Sequence, residues 1–270
     1  MNLGVLRATV KKNLMIRVRA YPMNFFIGNT LTGLYTLLGA WLAYHCLFGG
    51  SLSPRFVQAA GTADYMSYVA VGSVVYLFVV RTCLNVSRSL ISELREGTLE
   101  SLMLAPFRRT EYFLGTMLVQ TVATFGELAV FAAAAVPFGL RVQPQGLAAF
   151  LAVLPLALYA AFAVSMVLGC VMLLTRDTYI SQNTLFVAMM LLCGVTFPVE
   201  YLPFWLRFAA WLVPATPAVS LVRGALIQGS SPAELAGLMA YTACISTAYL
   251  AVGLFCTKRA EKLALEKMEG

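Results

Sequence analysis

The sequence predicts an all-helical membrane protein with six spans, and three observations carry the prediction. The 270 residues are 60% hydrophobic and 11% charged, with a mean hydropathy of +0.80. Soluble domains are about 45–50% apolar and about 25% charged. Six apolar runs are each long enough to cross a hydrocarbon core of about 30 Å as a helix. The Lys and Arg residues gather in alternate connectors. Three further elements are expected within a single transmembrane domain over residues 1–270. They are an interfacial helix over 1–20, a short cytoplasmic helix within 92–106 and an external re-entrant segment over 198–226.

The N-terminal twenty residues carry Arg7, Lys11, Lys12, Arg17 and Arg19 along their whole length. No short apolar core with a small-residue cleavage site follows, so the segment does not read as a cleavable signal. Leu3, Leu6, Val10 and Leu14 fall on one helical face between basic residues. That is the pattern of a helix lying in the membrane interface. The apolar runs then cover about Met23–Phe48, Tyr65–Ser87, Phe113–Leu140, Leu147–Leu174, Tyr179–Phe197 and Ala233–Cys256. Backbone groups cannot find water inside lipid, so each run is expected to be helical.

With the N-terminus inside, fourteen Lys and Arg residues fall on the cytoplasmic side and four fall outside, namely Arg55, Arg141, Arg207 and Arg223. This bias places both termini in the cytoplasm. It also accounts for the net charge of +7 without a nucleic-acid partner. The six cysteines are scattered with no C-x-x-C pair, which argues against a metal cluster or disulfide framework. His45, the single histidine, reads as an interfacial residue.

Ser92–Pro106, "SELREGTLESLMLAP", is a polar island between two apolar runs. Gly97 breaks the preceding helix, and Thr98 is a good N-cap. Leu99, Leu102 and Met103 share a face. Glu100 lies in the first turn, where the helix dipole favours a carboxylate by about 0.3–1 kcal/mol, and Pro106 marks the stop. A helix this short is not stable alone, so its apolar face must pack on something.

The stretch "ELREGTLESLMLAP" resembles the signature loop of the permease subunits of ABC-2 type exporters, roughly E-x-E-x-G-T-L-E-x-L-x-x-x-P. Glu93, Glu96, Gly97, Thr98, Leu99, Glu100, Leu102 and Pro106 stand at matching places, with the first acidic residue one place out of the commonest register. The resemblance implies a coupling helix that docks on an ATPase subunit and passes nucleotide-driven motion to the spans.

A second stretch, Gly194–Leu226, combines helix-breaking prolines with Phe204, Trp205, Phe208 and Trp211. Leu202, Trp205, Leu206 and Ala209 fall at helical spacing. Such aromatics favour the membrane interface, and non-helical backbone at membrane depth must be buried in protein or face a cavity. Short re-entrant helices fit both conditions. This region also resembles the segment before the last span of the same family, with Gly194, Pro198, Pro203, Pro214 and Arg223 matching and Pro217 as an additional proline.

No G-x-x-x-x-G-K-[ST] is present, so a P-loop is not expected on this chain. No Ser/His/Asp set or metal-ligand spacing appears either, and the chain is not expected to be an enzyme by itself. The resemblance therefore implies a separate ATPase subunit that binds ATP and magnesium, and a second permease copy or a sister permease. The implied place is the cell (inner, cytoplasmic) membrane, in contact with its lipids. The resemblance also implies a transport path along the permease interface, lined by the second and fifth spans, where Tyr76, Phe78, Asn183, Phe186, Met189 and Met190 lie. Arg81 and Glu127 fall within spans. A charge at mid-membrane costs about 2.5–3.5 kcal/mol on insertion scales, so Glu127 is expected to face protein or water. The implied function is export of an amphipathic substrate such as a drug, lipid, peptide or glycan. A scaffold subunit that recruits a cytoplasmic ATPase, and a secondary carrier, stay open as alternatives.

Overall fold

The structure is a computed structural model that describes all residues except 1–2, 21–23, 48, 96–108, 176–183, 185–186 and 267–270. The chain is helical throughout its described secondary structure: α1 (Leu3–Ala20), α2 (Asn24–Leu42, continued by a π turn Ala43–Leu47), α3 (Pro54–Ala60), α4 (Tyr65–Arg95), α5 (Arg109–Ala135), α6 (Leu147–Thr175), α7 (Phe204–Leu212), α8 (Ala215–Leu226) and α9 (Pro232–Glu266). Residues 187–192 are also helical. Among the described residues, three stretches are long and apolar enough to cross a membrane: Pro54–Thr82, Pro144–Met172 and Pro232–Cys256. The bent pair α7 and α8 makes a fourth if it is counted as one span.

The helix starts follow local chemistry. Ser53 caps α3 by accepting from the Phe56 amide at 3.3 Å, and Pro54 sits where a missing N–H costs nothing. Gly61 ends α3 in the left-handed region at φ 67°. Asp64 then caps α4, its carboxylate accepting from the Ser67 amide at 3.2 Å and the Ser67 hydroxyl at 2.7 Å.

Two helices run further than their apolar stretches. α4 has 31 residues, so it is roughly 46 Å long at 1.5 Å per residue and exceeds a core of about 30 Å. It continues past Ser87 to Arg95 because nothing in that polar stretch breaks a helix. The basic tail likewise extends α9 to Glu266, being built of Lys, Arg, Glu, Ala and Leu, all strong helix formers.

α6 is the axis of the bundle. It packs on α9, α4 and α8. Its length is rich in alanine, and Ala149, Ala157, Ala160, Ala161 and Ala163 are almost fully buried. Small residues let membrane helices approach closely, which is what drives their association where lipid is as apolar as leucine. The Ala157 and Ala160 face meets Ala218 of α8. α4 supplies the other half of the core with Val71, Val75, Val79 and Val80. α2 joins α4 and α5 through Leu37, Ala70, Phe131 and Ala135.

α1 packs on α5, near the helix start that follows residues 96–108. Thr9 is buried and Asn13 donates to Thr116 Oγ1 at 3.2 Å. Leu14 and Met15 stay exposed. Thr9 and Asn13 therefore face protein, and Leu14 and Met15 are left for the surroundings.

The contact of α9 with α6 generates a prediction. A Cβ at Gly253 would lie 2.7 Å from Met166 Cβ and 3.1 Å from two backbone atoms of α6, whereas a Cβ at Gly237 meets nothing within 4 Å. Overpacking of this kind costs about 1–3 kcal/mol. Gly253→Val should lower the thermal unfolding midpoint in detergent, and Gly237→Ala should leave it unchanged or slightly raised.

Candidate functional site: a broken span held by a buried arginine

α7 and α8 meet at an angle of 85°. Pro203 precedes α7 and Pro214 precedes α8, and both lack the N–H that a continuous helix would need. The break is pinned on several sides. The Tyr241 hydroxyl of α9 donates to the Trp211 carbonyl at 2.8 Å, and Thr216 Oγ1 reaches the Leu192 carbonyl at 3.4 Å. α8 is buried along nearly its whole length. By contrast α7 leaves Phe204, Trp205 and Phe208 well exposed.

The tightest convergence is at Arg223, in the last turn of α8, where a cation also complements the helix dipole. Its side chain is buried. Nη1 donates to the Gly194 carbonyl at 2.7 Å, and Nη2 donates to the Val195 carbonyl at 2.8 Å and to the Tyr68 carbonyl at 3.2 Å. The guanidinium carbon lies 3.6 Å from the centre of the Tyr68 ring. The Tyr68 hydroxyl donates to the Gly194 carbonyl at 3.1 Å. Only Nε is buried without a hydrogen-bond partner. Three segments are thus joined by one side chain: α8, the turn at 194–195 and the first turns of α4.

Two glycines make room for it. A Cβ at Gly72 would collide with Arg223 Nη2 and approach the Val195 carbonyl to 3.0 Å. Gly194 has φ 64°, and a Cβ there would meet Val199 Cγ2 at 2.7 Å. An L side chain at Gly194 would be strained by conformation as well as by contact.

The structure brings together Gly194 and Arg223, which the sequence reading singled out separately. Pro198 is buried at the start of a 3-10 turn, Val199–Tyr201, and Pro203 lies exposed. Arg223, an outer-side charge in the count of basic residues and part of the expected re-entrant segment, is a buried side chain of α8. Tyr68 and Gly72 were missed. The available signal was a glycine inside a helical run, which costs about 1 kcal/mol and so asks for a packing reason.

Of the second- and fifth-span residues, Tyr76, Phe78 and Met189 are packed in the chain's own core, and Met190 is about half exposed. Asn183 and Phe186 lie outside the described residues, as do Glu96, Gly97, Thr98, Leu99, Glu100, Leu102, Met103 and Pro106. Glu93 falls on α4 and Glu127 on α5, with side chains outside the described set. Arg81 is buried on α4. Among the described residues, no group of three or more His, Cys, Asp or Glu side chains is placed to hold a metal ion.

A helical bundle with three helices long and apolar enough to cross a membrane, or four with the bent pair, is the build of a multi-pass membrane protein. The sequence matches the ABC-2 type transporter family over residues 6–227, which spans most of the chain, and the chain belongs to that family. No curated protein matches it.

The clamp predicts a measurable opening. Arg223→Gln removes most of its charge-assisted hydrogen bonds, each worth about 1.5–3 kcal/mol. Gly72→Ala displaces the guanidinium without deleting it. Cys193 is buried beside the clamp, with its thiol 3.7 Å from Met189 Sδ. In a background where the other cysteines are replaced, both variants should raise the rate of Cys193 alkylation about tenfold or more. Unchanged rates would contradict the assigned role.

Proposed function

We propose that the chain is one permease subunit of an ATP-driven exporter, moving an amphipathic substrate out of the cytoplasm or the inner leaflet. The observation that carries the reading is the course of α4. It runs unbroken from the Arg223 clamp at Tyr68 and Gly72 to Arg95, within the start of the signature stretch Glu93–Pro106. A rigid helix is a means of passing displacement from a cytoplasmic segment to the far end of the bundle.

In this reading ATP and magnesium are bound by a separate ATPase subunit, and this chain is not itself an enzyme. Two permease subunits face each other in the cytoplasmic membrane, with both termini of this chain in the cytoplasm. Closure of the two ATPase subunits draws the coupling segments together through Leu99, Leu102 and Met103, with Glu93, Glu96 and Glu100 on the polar side. α4 moves with them, and the broken span over 204–226 moves with α4. The path is assigned to Tyr76, Phe78, Asn183, Phe186, Met189 and Met190. Tyr76, Phe78 and Met189 are buried in this state, so they join the path when α4 and the 187–192 helix move apart. Methionine and aromatic surfaces adapt to varied apolar ligands.

The test is purification of the tagged protein from its native membrane in mild detergent. A P-loop ATPase should accompany it in near-stoichiometric amount. Leu99→Asp and Leu102→Asp should still insert in the membrane, but should lose the ATPase or hydrolyse ATP without transport. Full transport in both variants, or an ATPase-free oligomer after cross-linking, would overturn the proposal.

A further inference from the structure

The end of the bundle opposite Arg95 holds a cavity of about 360 Å³. Its volume falls within the range of ligand pockets, about 300–1,000 Å³. Three separate segments line it: Tyr44 of the π turn, Asp64 and Tyr65 at the start of α4, and Phe138 and Arg141 after α5. The lining residues thus include one acid, Asp64, one base, Arg141, and two stacked tyrosines, since Tyr44 and Tyr65 lie 5.7 Å apart at 19°.

The Asp64 carboxylate and the Arg141 backbone are held together by one residue. The Ser67 hydroxyl donates to Asp64 Oδ2 at 2.7 Å and accepts from the Arg141 amide at 2.7 Å. One buried hydroxyl therefore anchors the carboxylate and the backbone of the arginine together. The Tyr44 hydroxyl is spent on the Gly50 carbonyl at 2.6 Å, which fixes the ring. Among the described residues, neither Asp64 nor Arg141 forms an ion pair. Residues of opposite charge thus line one cavity without an ion pair between them.

A simple anion would meet Arg141 but also the repulsion of Asp64. A simple cation would meet the reverse. A zwitterion satisfies both ends. An ammonium is favoured by the carboxylate and by the face of a tyrosine ring, the latter worth about 0.5–2 kcal/mol. A phosphate suits the planar fork of a guanidinium.

We propose that this cavity binds a phosphoethanolamine group, with its ammonium against Asp64 and the Tyr44–Tyr65 pair and its phosphate against Arg141. Such a group comes either as the headgroup of an ethanolamine phospholipid or as the soluble compound. The assignment does not depend on the transport direction or on the ATPase partner.

The test is native mass spectrometry of the full chain, purified in mild detergent from membranes containing phosphatidylethanolamine and phosphatidylglycerol. The wild type should retain phosphatidylethanolamine in preference to phosphatidylglycerol. Arg141→Gln and Asp64→Asn should each lower its retention about tenfold. Arg207→Gln, on the exposed side of α7, should leave retention unchanged. Asp64 also caps α4, so Arg141→Gln alone decides if Asp64→Asn fails to fold. Calorimetry of delipidated protein with soluble phosphoethanolamine separates the sources. Binding that is lost in Arg141→Gln means the group is recognised without acyl chains. Retention of the lipid with no binding of the soluble compound means the membrane supplies it. Equal retention in wild type and Arg141→Gln, indifference between the two lipids, or no binding of either form would overturn the proposal.

Discussion

A buried guanidinium and a stretch of non-helical backbone solve each other's problem in this protein. The turn at Gly194–Val195 has carbonyls that no helix ladder serves. Both residues are buried, so these groups cannot turn to water, and each unsatisfied one costs about 1–3 kcal/mol. Arg223 has the opposite need, because a buried charge requires acceptors. Nη1 and Nη2 reach both of those carbonyls and that of Tyr68 besides. Removing either side leaves the other unpaired, which makes the pair a constraint rather than a decoration. Arginine is suited to it because its planar fork spans several acceptors, where a lysine would act as a single point charge.

From that constraint the rest of the architecture follows. α8 cannot drift from α4, because Arg223 reaches across Gly72 to Tyr68. α7 is left free to bend away at Pro214 and to expose its aromatic face. α6 supports the arrangement from behind with an alanine face that admits α8 at close range. At the far end of α4 the chain enters the segment that resembles a coupling loop. Tyr68 and Arg95 are 27 residues apart along one helix, roughly 40 Å at 1.5 Å per residue. One rigid element therefore links the clamp to that segment.

Much of this was legible in the sequence, for identifiable reasons. Apolar length marked the stretches Pro54–Thr82, Pro144–Met172 and Pro232–Cys256, three of the six spans expected, and proline marked the 85° bend between α7 and α8, because these depend on composition within a short window. The coupling segment rests on its resemblance to a family motif, and residues 96–106 of it lie outside the described residues. α4 runs past the apolar run to Arg95, in keeping with a helix broken at Gly97, and α9 runs past Cys256, where apolarity stops while helix propensity does not. Contacts were least legible. Tyr68 and Arg223 are 155 residues apart, and neither carries a local pattern that names the other. Which side of Tyr76, Phe78 and Met189 meets protein could not be read, because a membrane helix is apolar towards lipid and towards its own core alike. The burial of Arg223 was illegible for a related reason: a basic residue between spans looks the same whether it faces water or a turn of buried carbonyls.

The central claim is that Arg223 makes α8, the turn at 194–195 and the first turns of α4 a single unit. Hydrogen exchange followed by mass spectrometry on wild type and Arg223→Gln tests it most directly. If the claim holds, peptides covering residues 194–226 and 65–72 exchange about tenfold or more faster in the variant, while those of α9 over 232–256 keep their protection. Equal protection over 194–226 in the two proteins would contradict it and would mean that apolar packing on α6 holds the broken span without the arginine.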